Sequence, residues 1–367
     1  FYLELFHATG TAAVRETATQ AADFLAASVP ERAADVPLGL YTGLAGVAYT
    51  LAMAGRTLRS GRYVEASHRA LGYIVRAARQ RGRGVEWNAS TDIISGSAGI
   101  GLFLLWASRN MGEPSVVEVA AQAGRRLLER AEPYQGGLRW LVQPAMTRNY
   151  PNFSHGAAGV GYFLASLHQA TRDDDFLAAA LAAETYLGTI TTVLPSGGRM
   201  VYHSDPGNEE LYYLSWCHGP VGTARLYYRL GEITGDAKYA DAVRQFAQAL
   251  EDMRVPERSP GFWNNVSQCC GNAGVIEFLV DLHRKRDDRA YLEFAERVAV
   301  DAQKRATMDD RGARWVQAEH RVQPSNLVAQ TGLMQGAAGL GLAMLHLDGA
   351  INGREPIIAL PDNPFLS

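Results

Sequence analysis

The chain has 367 residues, 47% of them hydrophobic and 20% charged, with a formal net charge of −3 and a pI near 6.3. That is enough apolar material for a large core, and it leaves no electrostatic footprint for nucleic acid or an anionic membrane. No apolar run reaches the roughly 18 residues of a spanning helix, the N-terminus carries no basic n-region, and three cysteines do not make a disulfide framework. The expectation is therefore a cytoplasmic protein, with neither membrane nor nucleic-acid partner, whose thiols are kept for chemistry.

In chain order, an amphipathic segment from about Thr11 to Ala27 comes first, and a repeat follows. A Gly-x-x-G step opens an apolar, alanine-rich segment six times: Gly43/Gly46, Gly96/Gly99, Gly156/Gly159, Gly219/Gly222, Gly271/Gly274 and Gly336/Gly339. The first glycines are 53, 60, 63, 52 and 65 residues apart, yet 20 residues after each of the first five stands Tyr63, Val116, Phe176, Tyr239 or Tyr291. A constant offset inside a variable period predicts a rigid helix–turn–helix unit joined by connectors of differing length. The first helix of each unit, as in Gly99–Trp106, is apolar nearly all round and must be buried. The second is amphipathic, with Tyr239, Val243, Phe246 and Leu250 on one face. Ser115 with Glu118 reads as a capping box, and Asp236 as an N-cap. The pattern predicts an all-α fold of an inner and an outer ring of helices in one domain, residues 1–367. Pairing the Thr11–Ala27 segment with the last inner helix would close the circle. The connectors, with Gly84–Trp87, Gly137–Trp140, Gly198–Tyr202, Gly261–Trp263 and Gly312–Trp315, are expected at one end of the ring.

Immediately before the six first glycines stand Thr42, Ser95, His155, His218, Cys270 and Gln335, so these side chains should surround one mouth. Helix capping accounts for Thr42 and Ser95 but poorly for the imidazoles and the thiol. Cys217 and Cys269 both lie two residues before a first glycine, 52 residues apart, too far for a local zinc knuckle. Neighbouring inner helices can bring them, with Cys270, around one ion, and thiolates favour zinc. Three protein ligands leave a fourth position open, as in catalytic zinc. A vicinal Cys269–Cys270 disulfide, three unrelated buried thiols, and a structural site completed by His218 remain as alternatives.

The chain resembles the lanthionine synthetase C-like cyclases. The resemblance rests on Asp92-Ile93-Ile94-Ser95-Gly96, Asn152-Phe153-Ser154-His155-Gly156, Trp216-Cys217-His218-Gly219, Cys269-Cys270-Gly271 and Gln330–Gly339, and it spans essentially the whole chain. It implies an α/α toroid, usually of seven hairpins where six carry the glycine mark here, and one Zn2+ held by Cys217, Cys269 and Cys270. It also implies a dehydrated precursor peptide as substrate, whose cysteine thiolate adds to dehydroalanine or dehydrobutyrine to close a thioether ring. His155 is then the acid/base and Asp92 its orienter.

The chain departs from many stand-alone members at three places: Cys270 replaces a histidine, Tyr213 stands where an arginine precedes the first zinc cysteine by four, and His218 replaces a tyrosine. Tyr213 and His218 are the substitute catalytic candidates, weighed against packing roles. Cys-Cys-Gly and the non-Met start resemble the C-terminal cyclase of a class IV synthetase, with lyase and kinase domains in the same polypeptide. Rival readings are an enzyme adding glutathione to dehydroamino acids and a zinc-stabilised peptide-binding scaffold. His7, His68, His168, His283 and His346 read as surface or core residues. The run Gln317–Arg321 lies in a connector near the mouth, either as a solvated loop or as a peptide contact.

Overall fold

The structure, a computed structural model, describes residues 1–31, 35–257, 262–263, 265–310, 312–318 and 321–366; Gly261, Glu319 and His320 lie outside the described residues. The described helices, in order, are α1 (Tyr2–Thr9), α2 (Ala12–Ser28), α3 (Leu44–Thr57), α4 (Gly61–Ala77), α5 (Ser97–Asn110), α6 (Val116–Glu129), α7 (Ala157–Thr171), α8 (Asp174–Thr189), α9 (Pro220–Thr234), α10 (Ala237–Asp252), α11 (Asn272–Arg286), α12 (Arg289–Lys304) and α13 (Ala337–Asn352). Each glycine-marked helix from α3 to α11 packs on the amphipathic helix that follows it, and α3, α5, α7, α9, α11 and α13 pack on one another in succession. The chain is an α/α toroid. None of its described helices is long and apolar enough to cross a membrane.

Ring closure differs from the expected pairing of α2 with α13. The helix α1, which carries no Gly-x-x-G step, packs between α13 and α3, and α2 backs α1 as its own outer helix. This is the seventh hairpin. The Phe1 ring lies against the backbone of Gly341 in α13, where any side chain would collide with it. The C-terminal tail then returns among the inner helices. Its buried Asp362 accepts hydrogen bonds from the Tyr41 hydroxyl, Trp216 Nε1 and Arg225 Nη1, at 2.7, 2.9 and 2.8 Å. A second buried charge cluster ties the two chain ends to the ring. Glu4 accepts from the N–H groups of Ile357 and Ile358, and the His346 imidazole lies between Glu277, at 2.8 Å, and Glu4, at 3.6 Å.

The glycines are required by the way each connector folds back on the next inner helix. A Cβ on the second glycine of each step would strike the carbonyl oxygen six residues earlier, as at Gly99 on Ile93, Gly159 on Phe153, Gly222 on Trp216 and Gly339 on Leu333. The same close approach lets connector carbonyls take the free N–H groups of the first helical turn: Ala98 to Thr91, Ala158 to Pro151, Ala273 to Val266 and Ala338 to Thr331. Inner helices therefore start at the glycine without a side-chain cap, and Thr42 and Ser95 do not cap α3 and α5. The Ser115–Glu118 box is also not formed; the Ser115 hydroxyl makes no cap bond, and Glu118 pairs with Arg125. Asp236 does cap α10, accepting from Lys238 N.

The connectors carry short antiparallel ladders, 79–81 with 84–86 and 132–134 with 137–139 among them. The conspicuous tryptophans that follow are anchors, Trp87 and Trp140 buried and Trp315 half-buried. Trp87, Trp140 and Trp315 each donate Nε1–H to the carbonyl 13 residues back, Ile74, Leu127 and Ala302, near the end of the preceding outer helix.

Gly159→Ala should lose at least ~2 kcal/mol of stability, because backbone and not a yielding side chain is in the way. Gly188→Ala, in α8 with nothing within 4 Å of the added methyl, should gain about 0.5–1 kcal/mol in urea unfolding. Burial alone would lower the His346 pKa, but Glu277 and Glu4 outweigh it and raise it to about 10. The folded state then keeps a proton that the unfolded chain, with an ordinary value of 6.5, releases. The resulting stability is complete below pH 6.5 and is lost as pH rises through about 10. Tm should fall between pH 7.5 and 10, and His346→Gln should flatten that slope.

Candidate metal and acid–base centre

The connectors are stitched to one another by backbone hydrogen bonds at equivalent positions just before the inner helices. Ile93 N–H donates to Ser154 O, Ser154 N–H to Cys217 O, Cys217 N–H to Cys269 O, and Cys269 N–H to Met334 O, at 3.1, 2.9, 3.0 and 2.8 Å. Each connector also makes the same local turn, Gly156 N–H to Asn152 O, Gly219 to Ser215 and Gly271 to Ser267. The register of these bonds sets Cys217 and Cys269 side by side. Cys270, one residue on, is oriented by its N–H bond to Ser267 Oγ, and Asn265 Oδ1 in turn accepts from Ser267 N–H and Oγ–H.

The result is a buried cluster of three free thiols. Cys217 Sγ lies 3.2 Å from Cys270 Sγ, which lies 3.3 Å from Cys269 Sγ, and all three fall within 4.8 Å of one another. Burial, followed by the two neighbouring sulfurs, pushes the Cys217 thiol well up. Three crowded sulfurs that resist ionisation alone are what a thiophilic cation can relieve, and sulfurs about 2.3 Å from a tetrahedral ion would sit a little under 4 Å apart. The spacing fits such an ion with little movement. The ligand atoms of this cluster are the three sulfurs alone among the described residues; the nitrogens of His218 fall outside it.

Beside the thiols stands the pair Asp92 and His155. In the second hairpin the turn bond to the glycine is made by a side chain: Asp92 Oδ1 accepts from Gly96 N–H and Ser95 N–H, at 2.7 and 3.0 Å. This holds the 2% exposed carboxylate rigidly, and its other oxygen accepts from His155 Nδ1–H at 2.6 Å. The imidazole is 31% exposed, so its Nε2 edge is left to face the mouth.

His218 packs 5.6 Å from the His155 ring, fully buried, with Nδ1 lacking a partner among the described residues. Burial, then the charges possible on His203 and His155, lowers its pKa well below the usual range, so it is neutral. Tyr213 lies edge-on to His218 at 5.5 Å, on a strand whose backbone pairs with residues 262–263. Burial and then the Cys270 and Cys217 sulfurs push its hydroxyl pKa up, while a hydrogen bond from Arg321 opposes them. All seven residues expected at the site are thus brought to one mouth.

Two further residues complete the cluster. His203, from the connector between α8 and α9, packs 4.4 Å from His218 and 4.5 Å from Tyr213. Its pKa falls to about 4, chiefly through burial and then through Arg321, Arg148 and His155. Tyr150, from the connector between α7 and its predecessor α6, stands 5.9 Å from His155 and 5.5 Å from both His203 and His218. His203 lies at no repeat position, but Tyr150 stands six residues before Gly156 as Tyr213 stands six before Gly219, a register that could have marked it. The five other helical histidines described, His7, His68, His168, His283 and His346, are not part of this cluster.

Compared with known proteins, residues 1–357 match the family described as lanthionine synthetase C-like protein. The chain belongs to that family. No curated protein matches it. Among solved structures, nisin cyclase shares 15% identity over 100% of this chain and 89% of its own, with a TM-score of 0.69. An alpha-mannanase of glycoside hydrolase family 76 from Bacteroides thetaiotaomicron shares 12% over 92% and 96%, TM-score 0.57, and a sugar epimerase from a ruminal bacterium 15% over 85% and 87%, TM-score 0.56. At such identities the likenesses speak for the fold. At the mouth of this lanthionine synthetase C-like chain, thiols and imidazoles converge.

Titrating the reduced protein with cadmium should give thiolate charge-transfer absorbance that saturates at one ion per chain. Cys217→Ala, Cys269→Ala and Cys270→Ala should each lose it while keeping the helical circular dichroism.

Proposed function

We propose that this protein is a zinc-dependent cyclase that forms lanthionine or methyllanthionine rings in a dehydrated, ribosomally made precursor peptide. The observation that carries the reading is the cluster of three buried, free thiols within 4.8 Å, standing beside a carboxylate-oriented histidine at the mouth of the toroid. Family membership and the fold shared with nisin cyclase support it.

The reaction forms one C–S bond. The cysteine sulfur adds to Cβ of dehydroalanine or dehydrobutyrine, the π pair moves onto Cα and its carbonyl as an enolate, and Cα then takes up a proton. The proton lost from the thiol is balanced by the one gained at carbon. Zinc bound by Cys217, Cys269 and Cys270 would supply an open position that keeps a substrate thiol ionised, yet nucleophilic, at neutral pH.

The chain's own residues do the rest. Asp92 accepts from Nδ1–H and so fixes the ring and tautomer of His155, which holds at Nε2 the proton destined for Cα. His218, uncharged in its buried place, and the ring of Tyr213 wall off the thiols and exclude water from the basic enolate.

The test is ring closure in a peptide carrying one cysteine and one dehydroalanine, followed as loss of alkylatable thiol. Wild type with one zinc per chain should cyclise it, and His155→Ala should slow closure by about 10²–10⁴-fold. Asp92→Asn should slow it comparably, and the double variant no further, since the two act as one unit. Wild-type rates in His155→Ala would remove it as the acid. A protein that consumes glutathione but not the peptide's own thiol would move the reading to intermolecular addition.

A further inference from the structure

Deep in the ring, three inner helices, the connector before α11 and the C-terminal tail meet around a cavity of about 20 Å3. Its polar lining is Arg225 of α9, Gln268 of the connector, Glu277 of α11, His346 of α13 and Asn363 of the tail, and leucine and isoleucine side chains make the rest. Asn363 is satisfied, with Nδ2 donating to Asp281 and Oδ1 accepting from Phe365 N–H. The other four are each 4–6% exposed. Each of them keeps one sealed atom without a hydrogen-bond partner among the described residues: Arg225 Nε, Gln268 Oε1, Glu277 Oε1 and His346 Nε2. A single atom of this kind carries little weight, because Nε of Arg199 and of Arg284 is in the same state. Four on one small cavity carry more. Elsewhere the same side chains are engaged: Arg225 Nη1 donates to Asp362, and Glu277 Oε2 accepts from His346 Nδ1. His346 Nε2 lies 3.6 Å from Glu4, beyond hydrogen-bond reach, and with a carboxylate beside each nitrogen the imidazole keeps both its protons.

We propose that this cavity binds one water molecule, which accepts from Arg225 Nε–H and His346 Nε2–H, donates to Gln268 Oε1 and Glu277 Oε1, and so ties the two buried charge clusters of the ring to the connector that carries Cys269 and Cys270. The volume suits it, since one water needs roughly 10–15 Å3. The chemistry suits it too. A cation would meet two N–H groups and an anion two oxygens, whereas water has two hydrogens and two lone pairs and matches all four. Leaving four buried polar groups unmet costs more than ordering one water among them. The consequence is structural continuity. Asp362 with Arg225 and Glu4 with His346 and Glu277 become one network, and that network reaches Gln268, the residue before Cys269. Cys269 N–H is already held by Met334 O at 2.8 Å. With the Gln268 side chain fixed by the water, the thiol-bearing turn is held from two sides by the same elements that close the ring. This inference does not depend on the reaction proposed above, and its test uses no substrate.

The first test is a crystal structure of the wild-type chain at a resolution that shows ordered water. One density peak should stand about 2.7–3.2 Å from all four atoms. No peak there overturns the proposal, as do four side chains turned onto one another with nothing between them, or a peak that refines as an ion held by the two oxygens alone. The second test compares wild type with Gln268→Leu, which removes one acceptor and sets apolar bulk in its place. Magnetic relaxation dispersion of water oxygen, which counts long-lived internal waters, should find one fewer in the variant, and an equal count overturns the site. Tm should fall by about 2–4 °C with the helical circular dichroism unchanged. The tie to the connector is read by hydrogen exchange at the Cys269 amide, which should run about tenfold faster in Gln268→Leu. Exchange at the wild-type rate overturns that part. If Gln268→Leu does not fold, the wild-type crystal structure decides alone.

Discussion

Everything at the mouth depends on how closely each connector's backbone lies on the first turn of the next inner helix. That approach is possible only where two residues of the turn have no Cβ, and it recurs at every Gly-x-x-G step. It has two effects at once. Connector carbonyls take free N–H groups at the starts of α3, α5, α7, α11 and α13, while α9 opens on Pro220, which has no N–H, so no side chain is spent on capping them. The connectors are also left edge to edge, where Ile93, Ser154, Cys217, Cys269 and Met334 link in a chain of backbone hydrogen bonds. A backbone chain of that kind sets side-chain positions to a fraction of an ångström without constraining what the side chains are. The site is therefore a set of substitutable positions on a rigid frame.

This explains how one architecture serves unlike proteins. The mannanase and the epimerase share the toroid with this chain at 12% and 15% identity, and chemistry on such a fold is decided by the residues at the mouth. Here the two positions before α9 and α11 hold Cys217–His218 and Cys269–Cys270. Two equivalent positions on neighbouring repeats meet because the repeats meet. A third sulfur joins them because Cys270 occupies the place next to Cys269.

Buried aromatic and imidazole rings, Tyr150, His203, Tyr213 and His218, pack in contact with one another. Burial keeps the two histidines neutral. Charge enters at the Asp92–His155 pair, where the carboxylate is held by backbone N–H groups. The ends of the chain are likewise secured by buried charge, Asp362 with Arg225 and His346 between two glutamates, which is how a ring whose first and last elements are far apart in sequence is held shut.

The sequence by itself determined the ring of helical hairpins, because a glycine step and a buried residue 20 positions later recur whatever the connector length, and only a rigid unit does that. It also marked Cys217, Cys269, Cys270, His155, His218, Asp92 and Tyr213 as candidates that the fold brings together, since a residue near the glycine step inherits the register of the repeat or the likeness of its motif. The tertiary structure alone decided the rest. The seventh hairpin, α1 and α2, carries no glycine step, and only its packing between α13 and α3 reveals it. Ser115, Thr42 and Ser95 looked like caps, but backbone closure of the helix starts left Thr42 and Ser95 nothing to cap. Tyr150 shares the repeat position of Tyr213, six residues before its glycine, but His203 and the residues around it sit on a connector of irregular length, where no period says which residue faces the mouth. Their places follow from where the connectors end after the ring has closed, and that is a property of packing across distant parts of the chain that local pattern does not encode.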